Sequence, residues 1–600
     1  MKWLTVVSIF GLTTVGAAEK PAQAIDWQPW SADLFQRATA EKKLVLLDLG
    51  AGWCHWCHVM DELTYGDDAV VKILRSHFIA VRVDQDTRPD LAHRYEDYGW
   101  PATIIFKWDG TEIAKRRGYI PPQPMASMLR AFVDEPTPGP SIDAPTAFQP
   151  AERGALSKAQ RSAMRERLVA AFDTERGGWG DIHKYLNWNA LEWCLLAGAD
   201  GDHELEAHAR RTLDAGLKLI DPVWGGVYQY STDGDWDHPH FEKIMPFQAE
   251  NMRVFALAAT LWQEQKWLEA AQNIHRYLRD FLISPEGAFY TSQDADLVPG
   301  EHAGKYFALD DAGRRRLGIP RIDRHLYARE NGLAITGLCA LYAASGDESC
   351  LNEARRAADW VIANRSLAGG GFRHDETDAA GPFLGDSLAM ARAFLALYTI
   401  TAERTWLDRA LQAGEFIDAR FRADHGFSTA VSPAAPLPPT EPQVDENIAL
   451  ARLASLLHEH TAEPKWRAIA EHAMQYLASE TTVARQGFGV SGILLADRAL
   501  THPGPHLTVV GPKQDQTAKA LFTTSLRHLP FGSSCVEWFD PSGAPLPCTD
   551  IIYPTTAQPS AFLCTNGACS APIPTPATLE DRLHQMTHRP ANHQTRELSF

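Results

Sequence analysis

The spacing of apolar residues changes period twice along the chain, and each change marks a different kind of element. Leu44-Val45-Leu46-Leu47-Asp48-Leu49 is apolar but for one carboxylate, as a strand buried on both faces is. Phe78-Ile79-Ala80-Val81-Arg82-Val83-Asp84 alternates like a strand, residues 68–76 before it carry a helical apolar stripe, and Ile104-Ile105-Phe106 supplies a further strand. Strands and helices taking turns predict an α/β domain over residues 26–133. Asp134-Glu135-Pro136-Thr137-Pro138-Gly139-Pro140 then opens a proline-rich linker that reaches residue 150.

From residue 151 to 504 the period is helical. Glycine-aromatic turns recur at Gly177-Gly178-Trp179-Gly180, Gly225-Gly226-Val227-Tyr228, Gly287-Ala288-Phe289-Tyr290, Gly370-Gly371-Phe372, Gly426-Phe427 and Gly487-Phe488-Gly489. Between successive turns lie two amphipathic stretches, for example 248–263 and 267–281. The first of each pair is the more apolar, as an inner helix covered by its neighbours is, and the second is charged along one side. Six such hairpins closing on themselves predict an all-α (α/α)6 toroid. Residues 505–600 return to α/β character, with strands predicted at 506–511, 534–539 and 561–564 around a helix at 515–527. The predicted fold class is therefore multidomain, α/β plus all-α, with a small C-terminal α/β module.

The first domain also carries the most pointed chemistry. Trp53-Cys54-His55-Trp56-Cys57-His58 follows its first strand directly, which puts two thiols at a strand-to-helix junction. A cysteine capping a helix meets unpaired backbone N–H groups and the positive end of the helix dipole, which favours its thiolate. Cys54 is then the expected nucleophile, with Cys57, one turn deeper, placed to resolve a mixed disulfide. Asp48 sits where a carboxylate is costly unless it accepts a proton, plausibly that of Cys57. Pro101, in Gly99-Trp100-Pro101-Ala102-Thr103, is expected to be cis and to turn backbone polar groups toward the dithiol.

The order of strand, Trp-Cys-x-x-Cys, helix, strand ending in Asp84, helix and Pro-x-Thr strand resembles a thioredoxin domain. The wording Trp53-Cys54-His55-Trp56-Cys57-His58-Val59-Met60, Val83-Asp84-Gln85-Asp86-Thr87-Arg88-Pro89-Asp90 and Gly99-Trp100-Pro101 resembles one branch more closely, the spermatogenesis-associated, YyaL-like family built on domain of unknown function 255. Cys54, Cys57 and Pro101 match that family's motif. Pro239-His240-Phe241-Glu242-Lys243, Gln293-Asp294-Ala295-Asp296, Asn331-Gly332-Leu333 and the tail from Cys564 through Cys569 to Pro572 resemble its other motifs, so the likeness runs through most of the chain. The helical body resembles the six-hairpin glycosidase-like and sugar-epimerase superfamily. Trp100 departs from the smaller residue usual before the thioredoxin proline, and a bulky indole there restricts access to the dithiol.

The same cysteines admit other readings. Cys54-x-x-Cys57-His58 spells the attachment signature of haem c, and Cys54 and Cys57 with His55 or His58 are possible zinc ligands, while a plain structural disulfide needs neither. The primary expectation is no cofactor. In the toroid, His240, Glu242, Asp294, Asp296, Asp386 and Asp445 are candidates for an acid and a base flanking a sugar, with Trp179, Trp236 and Tyr290 as stacking faces. The alternative is that Asp294, Asp386 and Asp445 cap helices and that His240 and Glu242 form a loop network.

Size and charge narrow the partners. A chain of 600 residues calls for two or three domains, and a net charge of −18 without a basic stripe argues against nucleic acid. Met1-Lys2, an apolar run over residues 3–15 and Gly16-Ala17-Ala18 predict a signal peptide within residues 1–24, cleaved after Ala18 or Ala24. That run is too short for a bilayer, which takes about 20 residues, so no stable membrane span is expected after cleavage, and the expected location is periplasmic or secreted. Of nine cysteines, Cys535 with Cys548 and Cys564 with Cys569 are the expected local disulfides, and Cys194, Cys339 and Cys350 read as core. The function expected is an exported thiol-disulfide oxidoreductase acting on client protein thiols or disulfides, its toroid recognising the substrate or a glycan. A carbohydrate-active hydrolase or epimerase with an accessory redox domain, and a non-catalytic binding platform, are the alternatives.

Overall fold

The computed structural model describes residues 24–142, 148–378, 380–431, 437, 442–548, 551–554, 556–565 and 568–587. The expected signal peptide lies outside these residues except for Ala24.

After α1 (Leu34–Glu41) comes β1 (Leu44–Gly50), and α2 (His55–Val59) passes through one π-helical turn into α3 (Asp68–His77). β2 (Phe78–Asp84), α4 (Pro89–Arg94), β3 (Ala102–Phe106), β4 (Glu112–Arg117) and α5 (Pro122–Asp134) complete the N-terminal domain. The sheet order is β2-β1-β3-β4, with β1 parallel to β2 and antiparallel to β3. Both faces of β1 are buried, which is why its sequence hardly alternates. Leu44 and Leu46 pack with Met60, Ile73 and Met125 on one side, and Val45, Leu47 and Leu49 with Phe35 and Leu91 on the other.

The helical body contains α6 (Lys158–Ala170), α7 (Trp188–Ala199), α8 (His203–Gly216), α9 (Met245–Trp262), α10 (Gln265–Tyr277), α11 (Gly304–Phe307), α12 (Asp311–Leu317), α13 (Ala328–Ser345), α14 (Glu348–Arg365), α15 (Leu384–Thr401), α16 (Arg404–Phe421), α17 (Val444–Thr461), α18 (Pro464–Leu477), α19 (Glu480–Arg485) and α20 (Ser491–Thr501). α7, α9, α13, α15, α17 and α20 form an inner ring in which each packs on the next and α20 returns to α7. Four of these, α9, α13, α15 and α17, are 18 residues long and end on a left-handed residue, namely Gln263, Gly346, Ala402 and Ala462, that turns the chain into the outer helix. The glycine-aromatic turns are held by a side chain from the first turns of the next inner helix. Gln248 exchanges two hydrogen bonds with the backbone of Val227, Asn331 with Phe289, and Asn447 with Phe427. An amide group matches the one donor and one acceptor of a buried peptide unit, so the repeat is anchored at both ends.

One detail departs from the sequence pattern. Six turns enclose only five hairpins, and the sixth is assembled from the two ends of the body, α6 outside and α20 inside. Asp497 on α20 accepts from the backbone N–H of Leu156 at 2.8 Å and from Arg161 Nε at 2.6 Å, closing the ring. Among the described residues no helix is long and apolar enough to cross a membrane.

Short strands decorate the body: β5 (Tyr230–Ser231), β6 (Pro239–His240), β7 (Lys243–Ile244), β8 (Ser292–Gln293) and β9 (Ile322–Asp323). The C-terminal module has β10 (His506–Val510), α21 (Gln516–His528), β11 (Cys535–Phe539), β12 (Ser560–Thr565), β13 (Ala568–Cys569) and α22 (Pro576–Thr587). Its sheet order, β11-β10-β12-β13, repeats the N-terminal plan strand for strand, parallel then antiparallel, and Pro559 precedes β12 as Pro101 precedes β3. The junction after β10, Gly511-Pro512-Lys513-Gln514-Asp515, holds no cysteine, so this second copy of the plan carries no dithiol there. Cys564 and Cys569 form the expected disulfide. The expected Cys535–Cys548 pair is corrected: both are free and buried, because β11 turns Cys535 toward the toroid, where its Sγ lies 3.3 Å from His460 Nδ1.

Candidate functional site

Cys54 is the N-cap of α2, with extended backbone, and its Sγ accepts a hydrogen bond from the Cys57 N–H at 3.2 Å. The two cysteines are joined as a disulfide. Cys57 Sγ lies 3.4 Å from where a side chain on Gly50 would begin, so the thiol packs directly against the end of β1. Asp48 is on the same face of β1 as Gly50, about 7 Å along the strand. Burial pushes its carboxyl up to about 6, although the Arg82 guanidinium pulls the other way. Arg82 Nε at 2.8 Å and the Tyr65 hydroxyl at 3.2 Å occupy the Asp48 oxygens. The Trp100–Pro101 peptide is cis, as expected.

The toroid covers this dithiol. Cys54 is only 4% exposed and packs with Trp53, Ile244 and Phe247, the last two at the entry to α9. His55 Nδ1 faces Asp296 at 2.8 Å, and His58 Nε2 faces Asp294 at 3.0 Å. The backbone N–H of His55, the first of α2, donates to Glu242 Oε1 at 3.3 Å. His58 and His55, three residues apart on one helix, thus meet Asp294 and Asp296, two apart on a loop. The His58 imidazolium is favoured: burial opposes the charge, but Asp294 outweighs it and raises the pKa above its ordinary value.

The loop is held from below. β7, β8 and β9 form a small antiparallel sheet that sets Lys243 opposite Gln293, and so places Glu242 beside Asp294. Lys243 is fully buried, its Nζ 2.8 Å from both Asp221 Oδ2 and the Gly225 carbonyl, and Arg314 Nη1 donates to the same Asp221 oxygen at 2.6 Å. Burial draws the Lys243 ammonium down to about 8 against the pull of Asp221. The lysine of the Pro-His-Phe-Glu-Lys motif is therefore a structural anchor, while the glutamate before it reaches the dithiol helix.

A second contact lies on the other flank. Trp53 Nε1 donates to Asp86 at 2.7 Å, and His374 of the toroid bridges Asp86 and Asp386, its Nε2 2.7 Å from the Asp86 carbonyl and its Nδ1 2.9 Å from Asp386 Oδ1. Burial disfavours the His374 imidazolium, but Asp386 overrides it and raises the pKa from 6.5 to about 9. A histidine whose folded pKa is raised contributes stability in full below the unfolded value and loses it as pH climbs through the folded one. The thermal midpoint of the protein is therefore expected to fall between pH 6.5 and about 9, with up to about 3 kcal/mol at stake. The same scan on His374→Asn should be flatter; an unchanged slope would assign the effect elsewhere.

Of the six toroid candidates, His240, Glu242, Asp294 and Asp296 thus gather around the dithiol helix. His240 Nδ1 lies 3.9 Å from Glu242 Oε1, and its ring stacks on Tyr230. Asp386 belongs to the His374 contact, and Asp445 is apart from both, exposed within the axial cavity at the start of α17. Two proposed stacking faces are corrected: Trp179 and Trp236 are buried, each indole N–H spent on a backbone carbonyl, and Tyr290 is half-buried. The axial cavity, about 320 Å³, runs from Glu96 and Trp100 of the N-terminal domain past Arg392 and Arg452 to Phe531 of the C-terminal module. Sequence reading missed His374 and Asp86, and saw His55 and His58 only as metal or haem ligands. The available signal was that the Cys-x-x-Cys motif carries two histidines and the Gln293-Asp294-Ala295-Asp296 motif two aspartates.

A thioredoxin-like domain seated on a helical toroid, its dithiol turned toward the mouth, defines the class of this protein. Residues 17–134 match the family described as "Protein of unknown function, DUF255". Spermatogenesis-associated protein 20 of Homo sapiens is 22% identical, over 93% of this chain and 90% of its own. The chain carries the DUF255 domain and is homologous to spermatogenesis-associated protein 20. The thiol:disulfide interchange protein DsbD of Campylobacter jejuni strain RM1221 is 28% identical over 107 residues, 17% of this chain and 19% of its own. The helical body is similar in outline to a sugar epimerase from a ruminal bacterium, 14% identical with a TM-score of 0.41 over 53% of this chain and 86% of that one.

Proposed function

We propose that the protein is an exported thiol-disulfide oxidoreductase in which Cys54 attacks, Cys57 resolves, Asp48 handles the proton of Cys57 and Pro101 shapes the client groove. The observation that carries this reading is Cys54 at the N-cap of α2, its sulfur on an N–H group that stabilises an anion. In the reducing direction the Cys54 thiolate attacks a client disulfide, displacing one client thiolate. Cys57 then attacks Cys54 Sγ, releasing the second thiolate and leaving the internal disulfide, which an external dithiol must reduce with two electrons. The toroid serves as the recognition body and, through Asp294, Asp296 and Glu242, keeps the dithiol covered until a client engages. Its axial cavity is the place for a small ligand such as a glycan.

Trapping tests the reading. The Cys57→Ala protein, expressed with its leader and quenched in acid, is expected to carry clients disulfide-linked to Cys54, and Cys54→Ala to carry none. A Cys57→Ala protein without adducts, whose Cys54 also resists alkylation after reduction, would overturn it.

A further inference from the structure

About 22 Å further along α17 than Asp445, by the rise of a helix, a second cluster of reactive side chains closes the floor of the axial cavity. His460 from α17 meets Cys535 and Glu537 from β11, and His506 from β10 faces Glu537 from the other side. The Cys535 Sγ is 3.3 Å and Glu537 Oε1 is 3.0 Å from His460 Nδ1, and His506 Nε2 is 3.5 Å from Glu537 Oε2. Glu537 is completely buried, and its Oε2 has no hydrogen bond among the described residues. A fully buried carboxylate with one oxygen lacking a hydrogen bond, gathered with a thiol and an imidazole, makes a place for a cation.

The chemistry of the donors selects the cation. One thiolate, one carboxylate and one imidazole are a set for zinc, since sulfur and nitrogen are poor ligands for magnesium or calcium. Tetrahedral zinc, with bonds of about 2.0–2.3 Å, sets its ligand atoms about 3.3–3.6 Å apart, close to the spacing found. A thiolate and a carboxylate also cancel the charge of a divalent ion, so the loaded site would be neutral, as burial demands.

We propose that His460, Cys535 and Glu537 bind Zn²⁺ at the junction of the toroid and the C-terminal module, with His506 steadying the outer oxygen of Glu537. Zinc replaces the Cys535 thiol proton, which leaves to solvent, and no electron is exchanged. Held among fully buried side chains, the ion ties β11 to α17, and through Glu537 to Tyr398 on α15, whose hydroxyl donates to Glu537 at 3.3 Å.

Cobalt(II) titration of the reduced, chelator-stripped, full-length protein reads this site directly. Co²⁺ alone is expected to give a thiolate-to-cobalt charge-transfer band that saturates at one equivalent and is lost on adding Zn²⁺. Cys535→Ser should lose the band, while Cys350→Ser, beside another buried histidine, should keep it. No band in the wild-type protein, a band lost in Cys350→Ser, a band retained in Cys535→Ser, or a Cys535–Cys548 disulfide in the purified chain each overturns the proposal. If Cys535→Ser does not fold, the wild-type and Cys350→Ser titrations decide it.

Discussion

Replacing Asp294 and Asp296 together with asparagine is expected to speed alkylation of Cys54 in the reduced protein by roughly 100-fold or more. The reason is the pairing of the dithiol helix with the toroid. His55 and His58 each meet one carboxylate, and hydrogen bonds to charged groups of this kind are worth about 1.5–3 kcal/mol apiece. Losing both shifts the balance between covered and uncovered dithiol by more than about 3 kcal/mol, and each 1.4 kcal/mol is about tenfold. Asparagine keeps the volume and one acceptor, so the core beneath should stand. Glu242 adds to the effect while the domain is docked, because its carboxylate occupies the first N–H of α2 and repels a Cys54 thiolate. The measurement is the rate of iodoacetamide labelling at Cys54, followed by peptide mass, with buried Cys194 as the internal reference. A rate that stays at the wild-type value would show that the two histidine–aspartate contacts do not hold the dithiol shut.

The largest loss of stability is expected from Asp221→Ala. Asp221 is the counter-ion of both Lys243 and Arg314, and all three side chains are fully buried. Removing it strands two cations inside the protein, and breaking such a buried pair costs about 3–5 kcal/mol. The urea midpoint should fall accordingly. The same change frees Lys243 and with it β7, so Glu242 and Ile244 lose their places against α2 and Cys54. Labelling of Cys54 should therefore rise with the fall in stability. A loss below about 1 kcal/mol would mean that water reaches the cations and that the anchor is not dry.

Both predictions depend on residues that the chain displays openly but whose partners it does not. The dithiol, its place at a strand end, the cis proline and the alternation of glycine-aromatic turns with paired helices were legible because each depends on neighbours within a few residues. Capping, period and turn chemistry are local. The expected Cys564–Cys569 bond joins positions five residues apart on adjoining strands, and it too was within reach. Cys535 was not: its nearest reactive group is His460, 75 residues away, and nothing near it in the chain announces that meeting.

The carboxylates of the toroid mouth divide along the same line. Glu242, Asp294 and Asp296 stood out as polar residues on loops entering a ring, and a sugar is what such loops commonly hold. What they face instead is α2, because the N-terminal domain docks on the mouth and brings His55 within 2.8 Å of a residue 241 positions away. By itself, then, the sequence determined the three kinds of structure, the reactive pair and the repeat, since these follow from short-range sterics and hydrophobic period. Only the tertiary structure decided that Asp497 closes the ring from its two ends, that Lys243 is an anchor, and that Asp294 and Asp296 cover a dithiol. Those outcomes are set by burial, which makes an unpaired charge too costly to keep and so chooses its partner from wherever in the chain the fold delivers one.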